Sequence, residues 1–297
     1  MKCDLCPRKC LVDRKKGEKG ICGQTENLKV ARAALHFWEE PCISGDAGSG
    51  AVFFSGCPLH CVFCQNENIA NGTVGKEISL ERLVDIFLEL QEKRANNINL
   101  VTPGHFVPQI VKALDQARRE GLTLPVVYNT SSYETVDTIK MLEGCVDIYL
   151  PDFKYMSPVL SKKYSHAPDY AQVAKAAIAE MVRQTGKAVF VNGDEDNLIL
   201  SGTIVRHLTL PGCMADSMQI LKYLHDTYGD MIYISIMNQY TPFDFISDEF
   251  PELKRRVTKM EYNSVVRRAQ ELGINGFTQE RTSAADKYVP DFDLSGL

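Results

Sequence analysis

The feature that most constrains the fold of this chain is a regular alternation of short apolar runs with longer amphipathic ones. After Gly48, the run from Ala51 to Phe54 is typical of a buried strand, and Ser79 caps a helical pattern, LERLVDIFLELQEKR, with its apolar residues on one face. The alternation continues through strand-like runs at 98–101, 124–128, 146–150, 188–191, 203–210 and 231–236, and helical patterns at 107–120, 133–143, 170–184 and 215–227. This spacing is typical of βαβ units, so the sequence predicts an α/β fold with a mostly parallel sheet.

Bulk properties narrow the class of protein. The 297 residues suffice for one α/β barrel or for two ordinary domains. The net charge of -5 comes without a long block of either sign, which argues against a broad nucleic-acid-binding surface. The N-terminus, MKCDLCPRKC, has no apolar signal region, and no stretch approaches the roughly 18 apolar residues of a membrane span. We therefore expect a cytoplasmic protein without nucleic-acid or membrane partners.

Cysteines are concentrated near the N-terminus, where eight of the ten fall within the first 64 residues. In a reducing compartment such clustering indicates metal or redox chemistry rather than disulfides. Cys57, Cys61 and Cys64 form the pattern C-x3-C-x2-C directly after the first predicted barrel strand. Three thiolates at this spacing can bind three irons of a [4Fe-4S] cluster and leave the fourth iron open to another ligand. The alternatives are a zinc site that borrows His60 and a closed cluster that uses Cys42, although zinc sites tend to come as paired knuckles.

A second set of cysteines precedes this loop. Cys3, Cys6, Cys10 and Cys22 have the pattern C-x2-C-x3-C-x11-C, in a segment with few periodic runs. Four thiolates complete a tetrahedral zinc site or hold a second iron-sulfur cluster, and the spacing does not separate the two. The many Lys and Arg residues nearby offset the thiolate charge and favour a structural metal. A second cluster would instead indicate electron relay or substrate ligation.

Polar residues follow each predicted strand of the sheet. In parallel α/β barrels, chemistry collects at the carboxyl ends of the strands, because their loops open on one face. Asp152 and Lys154 are two positions apart and therefore point to the same side of their strand. The other polar clusters at these ends are Thr102 to His105, Asn129 to Ser132, Arg206 with Leu210-Pro211-Gly212, and Asn238 to Tyr240.

The cysteine loop, with Phe63 just before its last cysteine, resembles the signature of the radical S-adenosylmethionine superfamily. The wider segment HFWEEPCISGDAGSGAVFFSGCPLHCVFCQN resembles its glycyl-radical-enzyme activase branch, the pyruvate formate-lyase activating enzyme-like proteins, and the similarity covers nearly the whole chain. The expected architecture is a partial (β/α)6 TIM-like barrel over 48–277. A cysteine-rich metal-binding segment at 1–47 precedes it, and a C-terminal tail at 278–297 follows.

The resemblance also implies where S-adenosylmethionine binds. The aromatic Phe63 is expected near the adenine, and Asp152 with Lys154 matches the activases' Asp-x-Lys, which contacts the amino acid part of the cofactor. The superfamily's Gly-Gly-Glu motif, which receives the cofactor's amino group, is replaced here by Thr102 to His105, which leaves only a backbone carbonyl near Thr102 for that contact. The cofactor-binding residues expected on this basis are Phe63, Thr102, Asn129, Asp152, Lys154, Arg206 and Asn238.

The activity that the resemblance implies is reductive cleavage of S-adenosylmethionine to methionine and a 5'-deoxyadenosyl radical, which abstracts hydrogen from a substrate. The electron would come from a low-potential donor such as flavodoxin or ferredoxin, and the activase branch makes a glycyl radical enzyme the first candidate substrate. Alternatives are radical modification of a small molecule or peptide, and a non-catalytic iron-sulfur or zinc protein that transfers electrons. The sequence names no substrate, and no catalytic residue beyond the cofactor ligands is assigned.

Several residues are interpreted as mainly structural. In the bridge that contains His36, Glu39 and Glu40, the Glu-Glu-Pro sequence either positions substrate or the metal segment, or forms a solvated turn. Trp38 is expected in the core. Cys145 and Cys213 are expected as small buried side chains, with Cys213 close enough to the fifth strand to reach a substrate cavity.

Overall fold

The computed structural model describes residues 2–194, 197–279 and 290–297. Within these ranges the chain forms one ten-stranded sheet with helices packed against it. Its strands are β1 (Lys29–His36), β2 (Ser49–Phe54), β3 (Lys76–Glu77), β4 (Ile98–Val101), β5 (Val126–Thr130), β6 (Ile148–Pro151), β7 (Val189–Phe190), β8 (Ile199–Leu208), β9 (Tyr233–Met237) and β10 (Gly276–Thr278). Its α-helices are α1 (Pro41–Ser44), α2 (Glu67–Ala70), α3 (Leu80–Glu92), α4 (Val107–Arg119), α5 (Val136–Lys140), α6 (Pro158–Ser165), α7 (Tyr170–Thr185), α8 (Met214–Tyr228) and α9 (Lys259–Leu272).

The central part of the sheet is parallel, in the order β2-β4-β5-β6-β8-β9-β10. Strand β1 pairs antiparallel with β2, β3 pairs with β1, and β7 forms an antiparallel pair with β8. Among the described residues, the end strands β3 and β10 do not pair with each other, so the sheet stays open. These features confirm the predicted α/β fold and partial TIM-like barrel. The short parallel strand β10 adds a seventh member that the sequence pattern did not predict.

Helix patterns that the sequence predicts agree with the structure where the apolar face is clear. In α3 the Ser79 hydroxyl accepts a hydrogen bond from the Arg82 N–H at 3.1 Å, and the predicted apolar face is buried. Helix α9 was not predicted, although Thr258 and Glu261 form a capping box at its start, a recognisable helix-initiation signal. No helix in the described part of the chain has both the length and the apolar character needed to cross a membrane.

The two ends of the chain are attached to this body. Strand β1 lies within the predicted segment 1–47, yet it pairs with β2 of the sheet. The domain boundary at residue 47 stays a prediction. Residues 290–297 lie along β1, where the Ala33 N–H donates to the Ser295 carbonyl at 2.9 Å and Arg32 pairs with Asp293 at 2.7 Å. Residues 280–289 of the predicted tail, and residues 195–196, lie outside the described residues.

Candidate active site

The three cysteines of the predicted cluster loop lie on one wall of a cavity at the carboxyl ends of the parallel strands. Cys57, Cys61 and Cys64 follow β2 and line a cavity of about 340 Å³. The loop is held by its own turns, as in the hydrogen bond from the Cys64 N–H to the Cys61 carbonyl at 3.0 Å. The Ser165 hydroxyl donates to the Cys61 sulfur at 3.0 Å. The loop therefore presents three thiols to one cavity.

Burial governs the protonation of Cys57 and Cys64. It raises the pKa of Cys57 to about 11 and that of Cys64 to about 12, with neighbouring thiols adding to the rise and Lys154 opposing it. Such thiols stay protonated until a metal replaces the proton. Among the described residues, no group of three or more His, Cys, Asp or Glu side chains is arranged to hold a single metal ion. A [4Fe-4S] cluster makes a different demand, one thiolate for each iron, and three thiols on one cavity wall fit it.

A buried network of charged and polar side chains lines the same cavity, with Arg206 of β8 at its centre. The guanidinium donates to Asp152 from Nε at 3.0 Å, to Glu39 from NH1 at 3.0 Å and to Asn129 from NH2 at 2.6 Å. Lys154 donates to the other Asp152 oxygen at 2.6 Å. All five side chains line the cavity.

Opposite charges in this network stabilise the ionised forms of Asp152 and Lys154. Burial alone would raise the pKa of Asp152, but Lys154 and Arg206 outweigh it and hold that pKa below its ordinary value. Burial likewise would lower the pKa of Lys154, yet Asp152 and the nearby Cys61 thiol keep it above its ordinary value. Asp152 is therefore a carboxylate and Lys154 an ammonium ion over the physiological pH range. Lys154 uses one of its three N–H donors on Asp152 and stands where it can offer others to a ligand.

Glu39, which the sequence analysis named only as part of a bridge with two possible roles, belongs to this network. Its Oε1 accepts hydrogen bonds from the Asn99 and Asn129 amides, both at 3.1 Å, while Oε2 pairs with Arg206. The neighbouring Glu40 is buried, which raises its pKa, and Glu39 adds to this effect while Arg206 opposes it. Glu39 of the Glu-Glu-Pro bridge thus lines the cavity and Glu40 is buried beside it, so the bridge is not a solvated turn. The only available signal was its two adjacent acidic residues, which gave no indication of a buried position.

The other predicted residues divide into those that reach the cavity and those that do not. Phe63 lines it and packs edge-on against Tyr240 with ring centroids 6.0 Å apart, and Thr102 also lines it. Asn238 does not line the cavity; the residues that follow it, Gln239 and Tyr240, do. The assignment of Asn238 to the cofactor stays a prediction that this geometry does not favour.

The residues interpreted from the sequence as mainly structural also have defined positions. Trp38, expected in the core, is 58% exposed and lines the cavity, so that expectation was wrong. His36 lines the cavity as well. Cys42 and Cys213 are buried in apolar clusters, Cys145 is half-buried, and none of the three lines the cavity.

The turn from Thr102 to His105, at the position expected for a Gly-Gly-Glu motif, packs against the buried side chain of Glu134. Glu134, from the loop after β5, packs against Gly104 so closely that a Cβ at Gly104 would overlap its carboxylate. Glu134 accepts a hydrogen bond from the Thr130 hydroxyl at 2.8 Å, and burial raises its pKa to about 7. His105 points away from the cavity, with Nε2 2.7 Å from the Ser55 carbonyl. The turn thus has an adjacent acid, but one that does not line the cavity.

The second cysteine set lies in the N-terminal segment beside the first. Cys22 is buried, while Cys3, Cys6 and Cys10 are partly exposed. Burial raises the pKa of Cys6 to about 12 and also raises that of Cys22. All ten cysteines of the chain are free thiols.

Comparison with known proteins agrees with this geometry. Residues 51–195 match the family model described as the radical SAM superfamily. An uncharacterized protein of Methanocaldococcus jannaschii is 26% identical over 282 residues, which cover 92% of this chain and 75% of that protein.

Two solved structures resemble the chain at low sequence identity. The structure of methylornithine synthase is 13% identical, with 75% of this chain and 68% of that one covered and a TM-score of 0.50, a likeness that concerns the fold alone. A domain of pyruvate-formate lyase-activating enzyme from Bacteroides vulgatus is 10% identical, with 63% and 100% covered and a TM-score of 0.43.

Proposed function

The chain belongs to the radical S-adenosylmethionine superfamily, and from this premise we propose that Cys57, Cys61 and Cys64 hold its [4Fe-4S] cluster in an enzyme whose substrate is a glycyl radical enzyme. One observation carries the assignment: the three thiols share a cavity with the Asp152, Lys154, Arg206 and Glu39 network. When bound, the cluster and S-adenosylmethionine supply one-electron cleavage to methionine and a 5'-deoxyadenosyl radical that abstracts hydrogen.

The roles of the surrounding residues follow from their contacts. Lys154 donates to the carboxylate of the cofactor, because its ammonium group lies in the cavity with donors to spare. Asp152 fixes Lys154 and Arg206 at once, through its two oxygens. Phe63 contributes an apolar face for the adenine beside Tyr164 and Tyr240. Thr102 offers its carbonyl to the cofactor's amino group.

An activase must admit a segment of another protein to its cavity. The open sheet and the exposed Trp38 at the cavity wall support this substrate class. The electron donor is a low-potential carrier of the flavodoxin or ferredoxin type. Free thiols throughout the chain fit a reducing, cytoplasmic location. The N-terminal cysteines Cys3, Cys6, Cys10 and Cys22 hold a second metal centre.

Anaerobic reconstitution tests the first part of the proposal. The protein loaded with iron and sulfide, then given dithionite and S-adenosylmethionine, is expected to release 5'-deoxyadenosine and methionine. The variant Cys64→Ala is expected to lose this activity, while Cys145→Ala, a cysteine outside the cavity, keeps it. A fully loaded protein that releases no 5'-deoxyadenosine would contradict the proposal.

Deuterium transfer identifies the substrate class. A candidate glycyl radical enzyme deuterated at its glycines is expected to pass deuterium into 5'-deoxyadenosine. Transfer from a small molecule or free peptide alone would instead favour the alternative of radical modification of such compounds.

A further inference from the structure

The N-terminal cysteine segment lies directly on the loop that carries Cys57. The Arg8 guanidinium donates from Nε to the Pro58 carbonyl at 2.9 Å. His60 contacts the Ile21 carbonyl through Nε2 at 2.8 Å. The Cys22 carbonyl packs against Gly56, where a Cβ would overlap it. Neighbours of Cys6, Cys10 and Cys22 therefore touch the neighbours of Cys57 and Cys61.

The thiols of Cys3, Cys6, Cys10 and Cys22 are brought together by a folded loop and not by a hydrophobic core. The Cys3 N–H donates to the Val12 carbonyl at 2.9 Å, and the Leu11 N–H donates to the Cys3 carbonyl at 3.0 Å. A Cβ at Gly20 would lie 3.2 Å from the Cys10 sulfur and 3.5 Å from the Cys22 sulfur, so these two thiols flank one glycine.

The backbone of this loop is strained between its cysteines. Lys9 and Leu11 have φ of 40° and 53°, in the left-handed region that non-glycine residues seldom adopt. Strained backbone of this kind persists where its surroundings hold it and is frequent at functional sites. Between residue 2 and β1, the part of this segment that the structure describes, the only regular element is a short 3₁₀ turn at Arg14–Lys16. A segment with so little secondary structure has few stabilising interactions of its own. A metal centre would supply the missing stabilisation.

We infer that Cys3, Cys6, Cys10 and Cys22 bind a redox-active iron-sulfur cluster that delivers electrons to the cluster of Cys57, Cys61 and Cys64. The inference rests on the proposed function, because the electron needs an acceptor there. A structural zinc centre fits less well, because no three His, Cys, Asp or Glu side chains among the described residues are arranged to hold a single metal ion. Zinc would also give no reason for direct contact with the cluster loop on both sides of Cys57. The step is outer-sphere: a reduced one-electron carrier is oxidised, the N-terminal cluster is reduced, and the same electron passes on without a bond forming or breaking.

The surface around the segment indicates an acidic carrier. The first 22 residues contain seven Lys and Arg residues and three Asp and Glu residues, although the net charge of the whole chain is -5. Lys2, Lys9, Lys15, Lys16 and Lys19 are all exposed. A basic face on an otherwise acidic protein steers an acidic partner to that face and speeds its association. The favoured partner is therefore an acidic flavodoxin- or ferredoxin-type protein that docks beside the N-terminal cluster.

Metal analysis tests the site independently of catalysis. The full-length variant with Cys57, Cys61 and Cys64 all replaced by alanine, reconstituted anaerobically, is expected to keep about four irons per chain and to show an electron paramagnetic resonance signal after dithionite reduction. Zinc in place of iron, or no metal, would overturn the inference and leave the proposed function standing. If this variant holds a reducible cluster but the wild type releases no 5'-deoxyadenosine, the proposed function fails and the new site stands.

Reduction kinetics test the relay and its partner. With reduced flavodoxin as donor, Lys15→Glu/Lys19→Glu is expected to slow reduction of the bound clusters about tenfold at low salt and to leave reduction by dithionite unchanged. The matched double variant Lys93→Glu/Lys259→Glu, with both lysines exposed elsewhere, is expected to behave as wild type. Equal slowing in both double variants, or none in either, would contradict docking at this face.

A cysteine variant separates relay from structure. Cys10→Ala is expected to slow carrier-driven reduction of the Cys57 cluster at least tenfold while its S-adenosylmethionine affinity stays unchanged; Cys145→Ala serves as control. Unchanged reduction in Cys10→Ala that has lost its N-terminal iron would exclude the relay. Loss of cofactor affinity together with a lower melting temperature would assign the segment a structural role instead.

Discussion

The guanidinium of Arg206 donates to the carboxylate of Glu39 at 3.0 Å, although 167 residues separate them in the chain. Their side chains are 13% and 10% exposed, so the ion pair is almost fully withdrawn from water. Arg206 holds Asp152 and Asn129 with its remaining nitrogens. The bridge after β1 is thereby attached to the carboxyl ends of β5, β6 and β8, and the shape of the cavity depends on this connection.

Neutralising Glu39 is expected to destabilise the protein. Removing one charge of a buried pair leaves the other uncompensated, which costs roughly 3 kcal/mol of unfolding free energy, somewhat less in Glu39→Gln because the amide oxygen still accepts a hydrogen bond. The matched change Glu89→Gln breaks the more exposed pair with Arg82 and should cost under about 1 kcal/mol. Urea unfolding of both variants measures the difference; equal losses would contradict the importance given to the buried pair.

Lys154 is expected to govern cofactor affinity. Loss of a charge-assisted hydrogen bond costs about 1.5–3 kcal/mol, so Lys154→Met should raise the Kd for S-adenosylmethionine roughly 10- to 100-fold. Lys187→Met removes the partner of an exposed ion pair with Asp230 and should leave this Kd unchanged. Equilibrium binding to the reconstituted protein decides it, and an unchanged Kd in Lys154→Met would show that Lys154 only neutralises Asp152.

We expect that only glycine fits at position 104, because the Glu134 carboxylate lies against it. An added Cβ would overlap the Glu134 carboxylate, and overpacking of this kind costs typically 1–3 kcal/mol. In the double variant Gly104→Ala/Glu134→Ala the overlap is gone, so the unfolding free energies should be clearly non-additive. Additive losses in this cycle would mean that Gly104 serves another purpose.

Acid is expected to destabilise the fold through His207. Burial lowers its pKa to about 4, while an unfolded histidine titrates near 6.5. The unfolded state therefore binds the proton first, and stability contributed by the neutral ring is lost as pH falls from about 6.5 to 4, on the order of 3 kcal/mol in all. His207→Gln should be less stable at neutral pH and show a shallower loss over this range. Parallel curves for wild type and variant would contradict this assignment.

Sequence periodicity predicts the parallel strands and their order along the chain well, because each βα unit carries its own apolar pattern. It does not predict β1 or β10, since a strand paired to the sheet edge or only three residues long has a weak pattern of its own. The pattern predicts the C-terminal ends of strands less accurately than the strands themselves. Strand β9 ends at Met237. Asn238, the first residue after it, does not line the cavity, whereas Gln239 and Tyr240 do.

Motif spacing predicts the cysteine loop and the Asp152 and Lys154 pair, because both rest on residues a few positions apart. Glu39 and Glu134 could not be found in this way. Each acts through contacts with residues from other elements, Arg206 for Glu39 and Gly104 for Glu134. Only the packing of the sheet brings these pairs together. The contacts between Arg8 and Pro58, and between Cys22 and Gly56, are long-range in the same sense.

The most direct test of the central claim is electron paramagnetic resonance of the dithionite-reduced protein before and after addition of S-adenosylmethionine. Removing the N-terminal ligands by Cys3→Ala/Cys6→Ala leaves the signal of the Cys57, Cys61 and Cys64 cluster alone. The account predicts that the g values of this signal change when the cofactor is added, because the cofactor binds the open iron. A reduced cluster whose signal the cofactor leaves unchanged would contradict it.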